Sequence, residues 1–199
     1  MGRHIRSVTF VGSFTSHLPV LGLPEVAFAG RSNVGKSSAL NCLLQRKKAA
    51  RVSSRPGRTQ AINLFNIDDD CVFADLPGYG FAKVPESVRQ AWKIHIDTYL
   101  AGRDALRLVV VLVDARRDPL PMDHDMLMAL AGFRVPALVV ATKIDKLKRS
   151  QRGRQLKKIR QGHGLSPAQL IPFSAVTGEG RDDVWEVLGA SMGPARESS

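Results

Sequence analysis

Residues Gly30 to Ser37 read G-R-S-N-V-G-K-S and fill the pattern G-x-x-x-x-G-K-[ST] completely. Glycines at such positions let a backbone curl so that successive N–H groups face inward around an anion. A helix starting at the lysine adds positive potential at the same point. In a loop of this kind Gly30, Arg31, Ser32, Asn33, Val34 and Gly35 wrap phosphates with main-chain amides, and Ser38 follows on the helix. Lys36 reaches the β- and γ-phosphates, and the Ser37 hydroxyl is a Mg²⁺ ligand. A second string, D-L-P-G-Y-G, spans Asp75 to Gly80. An aspartate closing an apolar run is costly unless a cation receives it, so Asp75 is predicted to serve Mg²⁺ through a water. Leu76 and Pro77 lead to Gly78, whose N–H can approach a γ-phosphate because no Cβ blocks it.

Between these strings lies S-S-R-P-G-R-T-Q, Ser53 to Gln60. Residues 49–59 carry turn formers and no periodicity, so they read as a mobile loop. Gly57, Arg58 and Thr59 would meet the nucleotide there, with the Thr59 hydroxyl on Mg²⁺ while a γ-phosphate is present. Losing that phosphate would release the loop, which is a switch. Lys36, Thr59 and Gly78 are thus the candidate catalytic groups. Farther on, T-K-I-D spans Thr142 to Asp145 and F-S-A spans Phe173 to Ala175. The Asp145 carboxylate offers two acceptors, and guanine presents two adjacent donors, its ring N–H and its exocyclic amine. Adenine would set a lone pair against the carboxylate, so discrimination could reach ~10⁴. The Lys143 stem can cover the purine face, and the Ala175 N–H can reach guanine O6. Thr142, Ile144, Phe173 and Ser174 complete this base site.

The elements that must position these strings alternate along the chain. Short apolar runs at residues 25–29, 61–67, 71–74, 106–113, 137–141 and 170–173 read as strands. Mixed segments at 36–45, 85–101, 122–131, 150–161 and 182–191 read as helices. The predicted fold is an α/β three-layer nucleotide-binding domain, with a mostly parallel sheet covered by helices on both faces. Each motif then falls beyond the carboxyl end of a strand, where such sheets bind ligands. Residues 1–23 form an extension with one candidate edge strand at 8–11, residues 24–192 the nucleotide domain, and residues 193–199 a disordered tail.

In this order the motifs look like those of a Ras-like GTPase of the translation-factor class. E-V-A-F-A-G-R-S-N-V-G-K-S-S, P-G-R-T-Q-A-I-N-L-F, D-L-P-G-Y-G and T-K-I-D resemble the EngB (YihA/YsxC) family of bacterial GTPases across about residues 25–188. The resemblance implies a small Ras-like G domain that binds GTP and GDP and assists assembly of the large ribosomal subunit. It also implies a family link to cell division and septation. Thr142 stands where related motifs carry asparagine, and Ala175 where the family often has serine.

Tyr79 follows Gly78 at the place where Ras-like enzymes carry a water-orienting glutamine, so slow intrinsic hydrolysis is expected. Asn33 matches the asparagine with which potassium-activated relatives hold K⁺ beside the phosphates, which makes K⁺ a second candidate ion. The balance of 29 Lys+Arg against 18 Asp+Glu, a net +11 over 199 residues, points to polyanionic partners. Arg46, Lys47, Lys48 and Arg51 form one cluster. Lys146 to Arg160 forms a second, with no acid inside it, and suits the phosphates of ribosomal RNA. Two cysteines make no disulfide framework, no apolar run reaches membrane-spanning length, and no signal segment opens the chain. A cytoplasmic monomer without integral membrane association is expected. Two other readings stay open: a kinase with the same phosphate loop acting on a small acceptor, and a basic nucleic-acid scaffold without catalysis.

Overall fold

The computed structural model describes residues 3–46, 61–80 and 86–193. Seven strands form one sheet: β1 (Val8–Phe14), β2 (Glu25–Gly30), β3 (Ile62–Ile67), β4 (Cys71–Asp75), β5 (Leu106–Asp114), β6 (Ala137–Thr142) and β7 (Leu170–Pro172). Their spatial order is β1-β3-β4-β2-β5-β6-β7. β2 pairs in parallel with β4 and β5, and β5, β6 and β7 continue in parallel. β3 runs antiparallel to β4, and β1 antiparallel to β3. The chain therefore leaves β2 towards one edge and later returns to build the other. This makes the carboxyl end of β2 the switch point at which open α/β sheets hold ligands.

The helices are α1 (Lys36–Leu43), α2 (Glu86–Gly102), α3 (Pro121–Gly132), α4 (Arg149–Gly162) and α5 (Arg181–Ser191). The sheet is apolar on both faces because successive side chains point to opposite sides. Val26 and Phe28 of β2 join Leu108, Val110 and Leu112 of β5 in a core with Leu40 of α1 and Leu188 of α5. Ala27 and Ala29 join Val109, Val111 and Val113 in a second core, with Tyr99 of α2, Leu130 of α3 and Ile159 of α4. The α/β architecture is as the sequence predicts. α1 stops at Leu43, short of the predicted end at Gln45, because Gln45 turns into the left-handed region with φ +52°. β1 runs beyond the predicted end at Val11 to Phe14, through an irregularity between Phe10 and Gly12. The predicted helix start at Pro85 lies outside the described residues.

One buried ionic cluster ties the amino-terminal segment to the sheet. Glu25, at the start of β2, is wholly buried. Its carboxylate accepts hydrogen bonds from the Tyr99 hydroxyl and from Arg103 Nη2 at 2.8 Å. The same guanidinium donates to the Pro19 carbonyl at 2.9 Å. Burial, with the Glu25 charge beside it, pushes the Tyr99 phenol far above its ordinary range, so the hydroxyl stays a donor. Removing Arg103 would leave a carboxylate in an apolar site without its counter-charge. Arg103→Ala is expected to cost about 3 kcal/mol of stability, read as a lower urea midpoint at unchanged slope.

Candidate functional site

The loop between β2 and α1 turns through two left-handed residues, Asn33 at φ +64° and Gly35 at φ +105°. Gly35 is the residue before the helix, and a side chain there would be strained in that conformation. The loop's amides can face inward only if its carbonyls find donors elsewhere. Two neighbouring segments supply them.

The first donor segment is D-L-P-G-Y-G. Asp75 closes β4, and the Leu76 N–H donates to the Phe28 carbonyl at 3.0 Å. The Tyr79 N–H donates to the Gly30 carbonyl at 3.3 Å, and the Tyr79 carbonyl accepts the Ser32 N–H at 3.1 Å. Gly78 passes so close that a Cβ would stand 3.3 Å from Ser32 Oγ. Pro77 is held by Trp92 of α2, whose indole N–H donates to its carbonyl at 3.3 Å. Lys36 and Asp75 form an ion pair in which both side chains are nearly buried. Ser37, on the first turn of α1, lies beside it in sequence.

The second donor segment is T-K-I-D. The Thr142 hydroxyl lies 2.7 Å from the Val34 carbonyl and 3.0 Å from that of Val113. Lys143 takes a left-handed conformation, φ +61°, and donates from Nζ to the Asn33 carbonyl at 2.6 Å. Its stem lies over Gly35, so Thr142 and Lys143 brace the phosphate loop. Asp145 follows Ile144 in the short 3₁₀ turn Ile144–Lys146. Its Oδ1 accepts the Ser174 hydroxyl at 2.8 Å, and that bond holds the carboxyl below its ordinary range. Ser174 is itself fixed: its Oγ accepts the N–H groups of Val176 and Thr177, each at 3.2 Å. The Phe173 carbonyl accepts the Ile144 N–H at 3.2 Å, which joins the two base-site strings. Ala175, half-buried, comes next.

The predicted residues of the phosphate loop, of D-L-P-G and of both base-site strings thus lie together at the carboxyl ends of β2, β4, β6 and β7. Gly57, Arg58 and Thr59 lie outside the described residues, as do Lys47, Lys48, Arg51 and Arg55. The donor set suits a hard divalent cation: a carboxylate and a hydroxyl are oxygen ligands, and Mg²⁺ commonly takes one or two protein groups plus phosphate oxygens. Among the described residues no three His, Cys, Asp or Glu side chains gather into a self-contained metal cage.

Two residues of this region had no assigned part in the sequence analysis or a different one. Asp114, the last residue of β5, accepts Lys143 Nζ at 3.0 Å and Arg116 Nη2 at 2.7 Å. Burial disfavours its charge, but the bonds from Arg116 and Lys143 outweigh that and hold the carboxyl well below the ordinary range. Its signal was in the sequence, since Asp114 closes an apolar run just as Asp75 does. Tyr79 turns away from the cleft. Its ring packs near Trp92, its hydroxyl donates to Asp123 of α3 at 2.8 Å, and burial pushes its phenol far above the usual range. A side chain so committed cannot orient a water at the phosphates. Tyr79→Phe is therefore expected to leave triphosphate turnover unchanged in a single-turnover assay. The same variant should lower the unfolding free energy by about 1–3 kcal/mol, because Asp123 loses its buried donor.

Comparison with known proteins agrees with this geometry. Residues 25–143 match the family described as 50S ribosome-binding GTPase. The chain is 47% identical over 193 residues to the probable GTP-binding protein EngB of Citrifermentans bemidjiense, covering 96% of this chain and 90% of that one. It is 46% identical over 198 residues to the corresponding protein of Geobacter sulfurreducens, covering 98% and 96%. A crystal structure of a probable GTP-binding protein EngB superposes with a TM-score of 0.70 at 25% identity, over 84% of this chain and 98% of the other. With a complete phosphate loop braced at a sheet switch point and relatives matched along nearly their full length, the chain belongs to the EngB family of GTP-binding proteins and is a GTPase.

Proposed function

We propose that this GTPase is a switch for assembly of the large ribosomal subunit, docking on the subunit or its precursor through ribosomal RNA and leaving after a slow hydrolysis. The observation that carries the reading is a single covalent stretch. Asp145 of the base site is followed directly by the cationic helix α4, and no acidic residue occurs between Asp145 and Glu179. The family description, which names the 50S ribosome, supports the same partner. The link to septation would follow from ribosome supply. A monomer acting in the cytoplasm fits the reading; among the described residues no helix is long and apolar enough to cross a membrane.

In this reading Lys36 exchanges its Asp75 partner for the β- and γ-phosphates, while main-chain amides of the loop close on their oxygens. Ser37 and Asp75 would hold Mg²⁺, with Thr59 joining in the triphosphate state; the ion, when bound, neutralises charge on the β- and γ-oxygens. The Gly78 N–H meets the γ-phosphate. At the other end Asp145, oriented by Ser174, accepts both guanine donors, and the Ala175 N–H donates to O6. Asn33 stands exposed at the apex of the loop and is the residue that would face K⁺. Because Tyr79 is committed to Asp123, intrinsic hydrolysis at or below ~10⁻³ s⁻¹ is expected without a partner group.

Two experiments test this. Nucleotide-dependent co-sedimentation with isolated large and small subunits should show binding to the large subunit that is stronger with a non-hydrolysable GTP analogue than with GDP. Equal binding to both subunits, or indifference to the nucleotide, would refute the switch. Asp145→Asn should weaken guanosine triphosphate by ~10³ or more and favour the xanthosine form, since an amide offers a donor to a 2-oxo group. Calorimetry with the two nucleotides reads the change.

A further inference from the structure

α4 is the most cationic element of the fold, and its cations divide into two sets. Arg152 pairs with Glu179 at 3.0 Å and Lys158 with Asp118 at 2.7 Å. Arg149, Arg154, Lys157 and Arg160 make no ion pair with any described residue. Helical spacing puts Arg149, Gly153, Lys157 and Arg160 on one flank, since residues three and four apart are neighbours. That flank borders a groove of about 300 Å³ lined by Gly153, Leu156, Lys157, Arg160, Pro167 and Leu170. The floor is apolar, the helix-side wall is cationic, and the far wall is the turn leading into β7.

Gly153 is the informative residue. It sits in the interior of α4, where glycine costs about 0.5–1 kcal/mol relative to alanine. No packing demands it: a Cβ there would have no atom within 4 Å, and its φ is not left-handed. Gly102 and Gly132 end their helices, and Gly189, equally open to a Cβ, falls in the last turn of α5. A glycine that costs helix stability and leaves open space between Arg149 and Lys157 makes a notch in a row of positive charge. Arg149 and Lys157 lie about 12 Å apart along the axis.

We infer that this flank of α4 is the surface that grips RNA, with Gly153 as the notch into which the sugar–phosphate backbone settles between Arg149 and Lys157, and Arg160 beyond. The inference rests on the ribosomal reading above and names its contact surface. Charge complementarity selects a polyanion. The groove contains no aromatic side chain for base stacking, so the recognised feature is the backbone of a folded or duplex RNA rather than a base sequence. An anionic membrane fits less well. Interfacial helices turn large apolar side chains outward, and none of the exposed large apolar residues described lies on α4.

The test measures the full-length protein against isolated large subunits, a short mixed-sequence RNA duplex and anionic phospholipid vesicles, over a salt series. Gly153→Leu should raise or keep Tm, because leucine is the better helix former, yet weaken RNA binding by ~10-fold. Gly153→Ala should act in the same directions to a smaller extent, which keeps the test valid if leucine disturbs the fold. The double variant Lys157→Gln/Arg160→Gln should lower the slope of log affinity against log salt by about 2. Lys158→Gln, whose cation is engaged by Asp118, should bind nearly as the unmodified protein. GTP affinity should be unchanged in all four. If the unmodified protein binds large subunits and every variant matches it, the groove assignment is wrong while the ribosomal reading stands. If the unmodified protein binds neither subunits nor duplex, the ribosomal reading itself falls. If the variants lose vesicles and keep RNA, the occupant is a membrane and the inference is overturned.

Discussion

The turn between Gly30 and Gly35 can hold an open shape around an anion only because most of its carbonyls are taken up from outside or within it. The Gly30 carbonyl receives Tyr79, that of Arg31 receives Val34, and that of Gly35 receives Ala39 of α1. Those of Asn33 and Val34 receive the side chains of Lys143 and Thr142. An unpaired buried carbonyl costs about as much as a lost hydrogen bond, and several together would collapse so open a turn. The two flanking motifs are therefore part of the phosphate loop's own construction. This explains why the sheet places β2 between β4 and β5, with β6 next: the strands that end in these motifs must stand within reach.

The same contacts join the two halves of the cleft. Lys143 is bonded at once to the phosphate loop and to Asp114 at the end of β5, and its neighbour Asp145 faces the base side with Ser174 behind it. A change that frees Asp114 or Asp145 moves Lys143 and Thr142 as well, and with them two carbonyls of the phosphate turn. In the proposed reading, binding of the purine and binding of the phosphates would therefore be coupled, by the same factor in either direction.

Much of this was legible in the residues. Six of the strands and the five helices described follow from apolar runs and their spacing, because strands covered on both faces write a strong signal. The motifs fell at the strand ends where the fold places them. What sequence reading missed has physical causes. β1 carries Gly12 and Ser13 inside it, and its length depends on a partner, β3, some fifty residues away. The bracing role of Thr142 and Lys143 depends on contacts across more than a hundred residues of sequence. Tyr79 reads as a missing catalytic group, and only its buried bond to Asp123 reveals that the position has been given to structure. The Glu25 cluster joins residues 19, 25, 99 and 103, which no local pattern could have grouped.

Trp92 hangs from the Pro77 carbonyl and lies near the Tyr79 ring, on the segment that must shift if a γ-phosphate is to be sensed. Trp185, by contrast, is stacked on Phe73 in the core and bonded to the Leu43 carbonyl. The protein thus carries two indoles in contrasting settings, one bonded to the segment proposed to sense the γ-phosphate and one in the core, so if that segment responds to nucleotide the emission of the first relative to the second would report it without any label.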